Sequence, residues 1–132
     1  WVTRGKLIQS AVAEAHHGQQ LIAKDEFSVI LASTLERLIG GIYPFWGKAQ
    51  SENELALTLI KANSKKSVLA SLRILWGRAP RVNDQGYISL KLATVRLMIA
   101  GGFTLDGELF GGEDKTSEVW LDANTTAYFL TR

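Results

Sequence analysis

The sequence has no cysteine. Disulfides, thiolate zinc sites and a cysteine nucleophile are therefore excluded. No apolar run reaches the roughly 18 residues of a membrane-spanning helix. The first residue is Trp1 rather than Met, and no secretory leader is visible. The chain is therefore expected to be a piece of a longer protein, with the cytoplasm as the default compartment. There is no large charge excess: fifteen Lys and Arg face thirteen Asp and Glu, a net charge of +2. That mild basicity does not by itself point to nucleic acid. No glycine-rich loop carries the Lys and Ser/Thr of a nucleotide cradle, and there is no nucleophile elbow or zinc motif.

What is present suits one domain over 1–132. The 132 residues are 46% hydrophobic, enough to bury a real core. The apolar spacing of Leu7, Ile8, Ala11, Val12 and Ala15 predicts a helix over 6–17, with Gly18 as its stop. In QQLIAKDEFSVILAS (19–33), two apolar runs flank Lys24-Asp25-Glu26, which reads as two strands joined by a tight connection. TLERLIGGIYPFWG (34–47) reads as an ordered loop. ELALTLIKA (54–62) sets Leu55, Leu57 and Leu59 on one side of a strand.

SKKSVLASLRILWG (64–77) reads as a helix capped by Asn63 or Ser64. Its stripe would be Val68, Leu72 and Leu75, with Leu69 and Trp76 beside them, and Gly77 and Pro80 would end it. From Tyr87 onward YISLKLA, TVRLMIA, FTLDGELF, SEVWLDA and AYFLTR all read as strands. The expected fold is mainly β with one or two helices, arranged as a sandwich or barrel.

FTLDGELF (103–110) has two readings. Asp-Gly between alternating apolar residues is a strong hairpin signal. As one continuous strand, the segment would instead face Phe103, Leu105 and Leu109 to the core. Asp106 and Glu108 would then share the other face, roughly 6.5–7 Å apart. One acid could accept a proton while the other holds a metal ion or a water. Gly107 would let a ligand or another backbone come close.

Three further features each have a plain reading beside a functional one. Ile42-Tyr43-Pro44-Phe45-Trp46-Gly47 could line an apolar ligand pocket, or pin a loop onto the core. Lys65, Lys66 and Arg73, followed by Arg78 and Arg81, could rest on an anionic membrane surface, or form a solvated helix face. His16 and His17, about 100° apart on a helix, are poorly placed to share a metal.

Two segments resemble a known family. Residues 33–47, STLERLIGGIYPFWG, are similar to the TLDRLLLGxxPFWG run found in part of the bacterial diacylglycerol-kinase-like family. Residues 103–110 resemble its FTLDGELF segment, in the same order along the chain. The resemblance implies the C-terminal β-sandwich of the NAD kinase/diacylglycerol-kinase-like fold, the family of diacylglycerol and sphingosine kinases.

The family's members are ATP-dependent lipid kinases, in which an N-terminal domain with a GGDGT-type motif binds ATP and the β-sandwich contributes DGE to the cleft. By that resemblance Asp106 is the candidate base and Glu108 its partner near metal or water, while Gly107 allows close approach. The implied partners are the missing N-terminal domain, a lipid substrate and a membrane surface touched peripherally; nucleic acid is not implied. ATP and Mg²⁺ would bind the intact parent and not this fragment, which is expected to be inactive alone. Glu36 stands where the family usually has Asp and is given no catalytic role. The competing expectation is a non-catalytic β-sandwich module that binds a lipid or a protein.

Overall fold

The computed structural model describes residues 11–35, 41, 43–46, 51–63, 72–74, 76–78, 86–105, 108–112 and 114–124. The strands are β1 (Ala11–His17), β2 (Gln20–Ser33), β3 (Leu55–Lys61), β4 (Tyr87–Leu92), β5 (Thr94–Ala100), β6 (Phe103–Leu105), β7 (Glu108–Phe110) and β8 (Thr116–Asp122). Six of them form one antiparallel sheet in the order β4-β3-β2-β1-β5-β8, and β6 and β7 form a small second sheet. The fold is mainly β, as the sequence suggests.

The long strand β2 organises the sheet. β1 pairs with its first half, Gln20 to Phe27, and β3 with its second half, Phe27 to Ser33. Between Phe27 and Val29 the register slips, leaving Ser28 as the extra residue. Such a bulge bends a strand and lets it pass from one layer to another. Ala13, Ala15, Val95, Leu97 and Ile99 from one half of the sheet then meet Leu55, Leu57 and Leu59 from the other, with Phe27 at the bend, in one buried cluster. A second corner lies at Ala93, the single residue between β4 and β5. Its carbonyl accepts a hydrogen bond from the Ala123 N–H at 2.9 Å.

Two sequence expectations are corrected here. Ala11–His17 is a strand and not the end of a helix; residues 6–10 lie outside the described residues. Ala13 and Ala15 are buried while Val12, just before Ala13, is 54% exposed, so the operative period is two. Alanine, a good helix former, conceals that alternation, and its small side chain suits a strand wedged between β2 and β5. Likewise, 20–33 is one strand and not two. Lys24-Asp25-Glu26 does not turn. It pairs with Glu14, Ala13 and Val12, and its charges find partners: Lys24 Nζ lies 2.7 Å from Glu14, and Asp25 lies 3.1 Å from Lys61 Nζ.

β3 is buried on both faces. Leu55, Leu57 and Leu59 join the core cluster as expected, and Ala56, Thr58 and Ile60 are buried as well. The aromatic loop explains this. Pro44 and Phe45 are fully buried, the Thr58 hydroxyl donates to the Pro44 carbonyl at 3.2 Å, and the Ser89 hydroxyl donates to the Trp46 carbonyl at 3.1 Å. Lys91 Nζ sits 5.2 Å from the centre of the Phe45 ring.

Residues 72–74 are helical, and Gly77, with φ +69°, follows the helix end as expected. The expected stripe is wrong in its described members. Leu72 and Trp76 are largely exposed, whereas Ile74 is buried. The last turn tightens through the Gly77 N–H donating to the Ile74 carbonyl at 2.8 Å. Trp76 forms a bridge with Tyr43 of the aromatic loop. The proposed cap at Ser64, the stripe residues Val68, Leu69 and Leu75, and AYFLTR (127–132) lie outside the described residues.

Candidate functional site

FTLDGELF folds as the hairpin. Phe103 pairs with Phe110, Thr104 with Leu109 and Leu105 with Glu108. The connection is therefore the two residues Asp106 and Gly107, which themselves lie outside the described residues. The hairpin is an excursion from the main sheet, because Ala100 at the end of β5 pairs directly with Thr116 at the start of β8. Its base is pinched by glycines. The Gly101 N–H donates to the Lys115 carbonyl, and the Lys115 N–H donates to the Gly112 carbonyl, each at 3.1 Å.

The reversal overturns the facing expected of a continuous strand. Phe103 does pack on the core cluster, but Leu109 is 79% exposed. The Phe103 and Phe110 rings stack with centroids 5.9 Å apart. Glu108, first residue of β7, is exposed.

Beside the hairpin the sheet leaves an apolar cavity of about 420 Å³. Phe27, Ile30, Leu97, Ile99, Val119 and Leu121 line it from the main sheet, and Gly102, Phe103 and Thr104 from the hairpin. Ser28 also borders it, its hydroxyl occupied by the Ile60 carbonyl at 3.3 Å. None of the described lining residues is charged. A second cavity of about 280 Å³ shares Ala32 and Leu121 with the first and extends to Ser33, Thr34 and Asp122. The arrangement can take up an alkyl chain in an uncharged space at the foot of the hairpin that carries Asp106 and Glu108.

The other candidates lie elsewhere. Among its described residues, the aromatic loop lines neither cavity; it covers the opposite face of β3. His16 and His17 are neighbours on a strand, so they project to opposite faces. His16 Nε2 lies 3.2 Å from Glu14, and His17 Nδ1 lies 2.8 Å from the Thr94 carbonyl oxygen. Lys65, Lys66, Arg81 and Glu36 lie outside the described residues.

Glu14, Lys24, Arg96 and Glu118 share the outer face of β1, β2, β5 and β8. Lys24 and then His16 hold the Glu14 carboxyl below its ordinary pKa. The Glu26 N–H, followed by Lys61, does the same for Asp25. Arg96 reaches Glu118 at 3.7 Å and lies over the Trp120 ring.

Sequence reasoning missed the cavity because its walls come from five strands distant in the chain. The one local sign is Ser28, a polar residue interrupting the apolar run of β2. Among the described residues no cluster of three or more His, Asp or Glu could hold a metal ion, and no helix is long and apolar enough to cross a membrane.

No known protein family matches the sequence, and no curated protein matches it. Solved structures do match its fold. The crystal structure of a diacylglycerol kinase from Bacillus anthracis str. Sterne superposes with a TM-score of 0.57 at 14% identity, over 85% of this chain and 38% of that one. A structure described as a candidate diacylglycerol kinase from the same strain superposes with a TM-score of 0.59 at 13% identity, over 90% of this chain and 41% of that one. The likeness is one of fold, and the chain spans about two fifths of either neighbour's length.

Proposed function

We propose that this chain is the C-terminal, lipid-holding β-sandwich of an ATP-dependent lipid kinase of the diacylglycerol-kinase type. The observation that carries the reading is the uncharged cavity at the foot of the hairpin whose connection is Asp106-Gly107 and whose return strand starts at Glu108. The fold likeness to diacylglycerol kinases supports it.

In this reading the lipid's tail lies between Phe27, Leu97 and Leu121, and its hydroxyl points toward the hairpin tip. Asp106 accepts the proton of that hydroxyl, Glu108 assists beside it, and Gly107 keeps the backbone approach open. ATP with Mg²⁺ supplies the phosphoryl group when bound. The sequence holds no glycine-rich loop with the Lys and Ser/Thr of a phosphate cradle. Both are therefore assigned to the remainder of the protein, where a GGDGT-type motif is expected. The isolated chain is then inactive, and the intact protein works in the cytoplasm at the membrane surface.

The test is Asp106→Asn in the intact protein. Turnover of a lipid alcohol should be lost while the fold and tail binding persist. Retained turnover would return Asp106 to a turn residue and favour a non-catalytic binding module.

A further inference from the structure

Phe103 belongs to two parts of the molecule at once. Its side chain lines the cavity and packs against the core cluster. It is also the first residue of β6, the arm that leads to Asp106, and its ring stacks on Phe110 at the end of β7. The far arm offers little other anchorage, since Leu109 and Phe110 are both exposed. We infer that Phe103 is a positioning residue: an alkyl tail filling the cavity presses on its ring, and so sets where the hairpin holds Asp106 and Glu108. The inference rests on the lipid-kinase reading and extends it from where the tail sits to what the tail does.

The physical argument is one of filling. While apolar wall remains to be covered, each added methylene should tighten binding about three- to fourfold. Once the space is full, a longer tail can be housed only by moving a lining group. The sheet residues Leu97 and Ile99 are fixed by ladder pairing on both sides of β5. Phe103 has a partner strand on one side only, β7. The edge strand β8, which carries Val119 and Leu121, is also paired on one side, but over seven residue pairs against three for β6–β7. The flanks of the two-stranded piece are Gly101-Gly102 and Gly111-Gly112. The ring is therefore the lining group that yields most readily, and the arm carrying the acids moves with it. Binding energy from an unreactive tail is thereby turned into orientation at the reacting end. At about 420 Å³ the cavity lies near the small end of ligand sites, so a lengthening tail comes to fill it.

The experiment titrates this chain with saturated monoacylglycerols of increasing length, below the concentration at which they form micelles. It follows affinity together with the backbone amide NMR signals of Thr104 and Glu108. Affinity should climb per methylene and then level off, and the Glu108 signal should shift as the plateau is reached. In Phe103→Ala the plateau should move to longer tails, and Glu108 should stop responding. Phe103→Leu, which keeps apolar bulk if the alanine variant does not fold, should restore part of the response. In the intact protein, Phe103→Ala should lower kcat on the order of ten- to a hundredfold with a smaller change in KM.

A Glu108 shift that is the same in wild type and both variants would overturn the inference, as would an absence of monoacylglycerol binding. Tail binding without tail-length dependence of the Glu108 signal would overturn the coupling and leave the kinase reading standing. An intact wild-type protein that binds tails but never phosphorylates them would overturn the kinase reading; the Glu108 response would still decide the coupling.

Discussion

A Cβ placed on Gly111 would stand 2.6 Å from the carbonyl oxygen of Gly101, and Gly111 itself has φ +78°. Both facts forbid a side chain where the two arms of the hairpin meet the main sheet. Gly111→Ala should therefore cost about 1–3 kcal/mol, concentrated in the hairpin. Hydrogen exchange at Phe103 and Phe110, a hydrogen-bonded pair of the hairpin, should accelerate, while exchange in β3 should stay nearly unchanged. Equal acceleration in both places would mean that the hairpin and the main sheet open as one unit.

Thr58→Val should expose the role of the aromatic loop. The mutation keeps the shape of the side chain but strands the Pro44 carbonyl without its donor in a buried site. A loss of about 1–3 kcal/mol is expected, read as a lower urea midpoint at unchanged slope. Thr58→Ser, which keeps the hydroxyl, should recover much of it.

Leu57 and Leu72 make a matched pair. Leu57 is fully buried on the core face of β3, and Leu72 is 52% exposed. Leu57→Ala should cost about 2–5 kcal/mol, whereas Leu72→Ala should stay within about 0.5 kcal/mol. Comparable losses from both would restore Leu72 to a buried stripe.

Acid should weaken the fold through Glu14 and Asp25. The folded-state pKa of each is lowered, chiefly by Lys24 for Glu14 and by the Glu26 N–H for Asp25. The stabilisation from a lowered carboxylate pKa is complete above the unfolded-state value of about 4 and is lost as pH falls through the folded value. The urea midpoint should hold steady from neutral pH down to about 5 and decline below that. Lys24→Met should flatten part of the decline; an unchanged acid limb would assign it to other carboxylates.

The parts legible in the sequence are those whose cause is local. Leu55, Leu57 and Leu59 announce β3 by alternation, and Asp-Gly between FTL and ELF announces the hairpin. Of the two readings the sequence left open for the bulky residues around Pro44, the burial of Pro44 and Phe45 favours the pin onto the core. β1 was not legible, because Ala11, Ala13 and Ala15 are satisfied by either period and only the strands on both sides choose between them. Nor was the bend at Ser28, since a bulge depends on the register of a strand some thirty residues later. At the candidate site the two acids stood out in the sequence, but the cavity next to them did not. Leu97 and Val119 become its walls only through pairings made across long stretches of chain.

The one-residue corner at Ala93 also has a bearing on how the chain folds. It ties two strands that are consecutive in sequence to opposite sides of β1–β3, so β5 must reach back until Ala100 lies beside Val12. The neighbouring pair β1–β2 can form early, at small entropic cost. The remaining ladder waits on a wide loop closing, which places this topology among the slow, high-contact-order folders, on a scale of milliseconds to seconds. Until that closure, β1 presents a bare edge to other copies of the chain, so dilute conditions should favour recovery from denaturant.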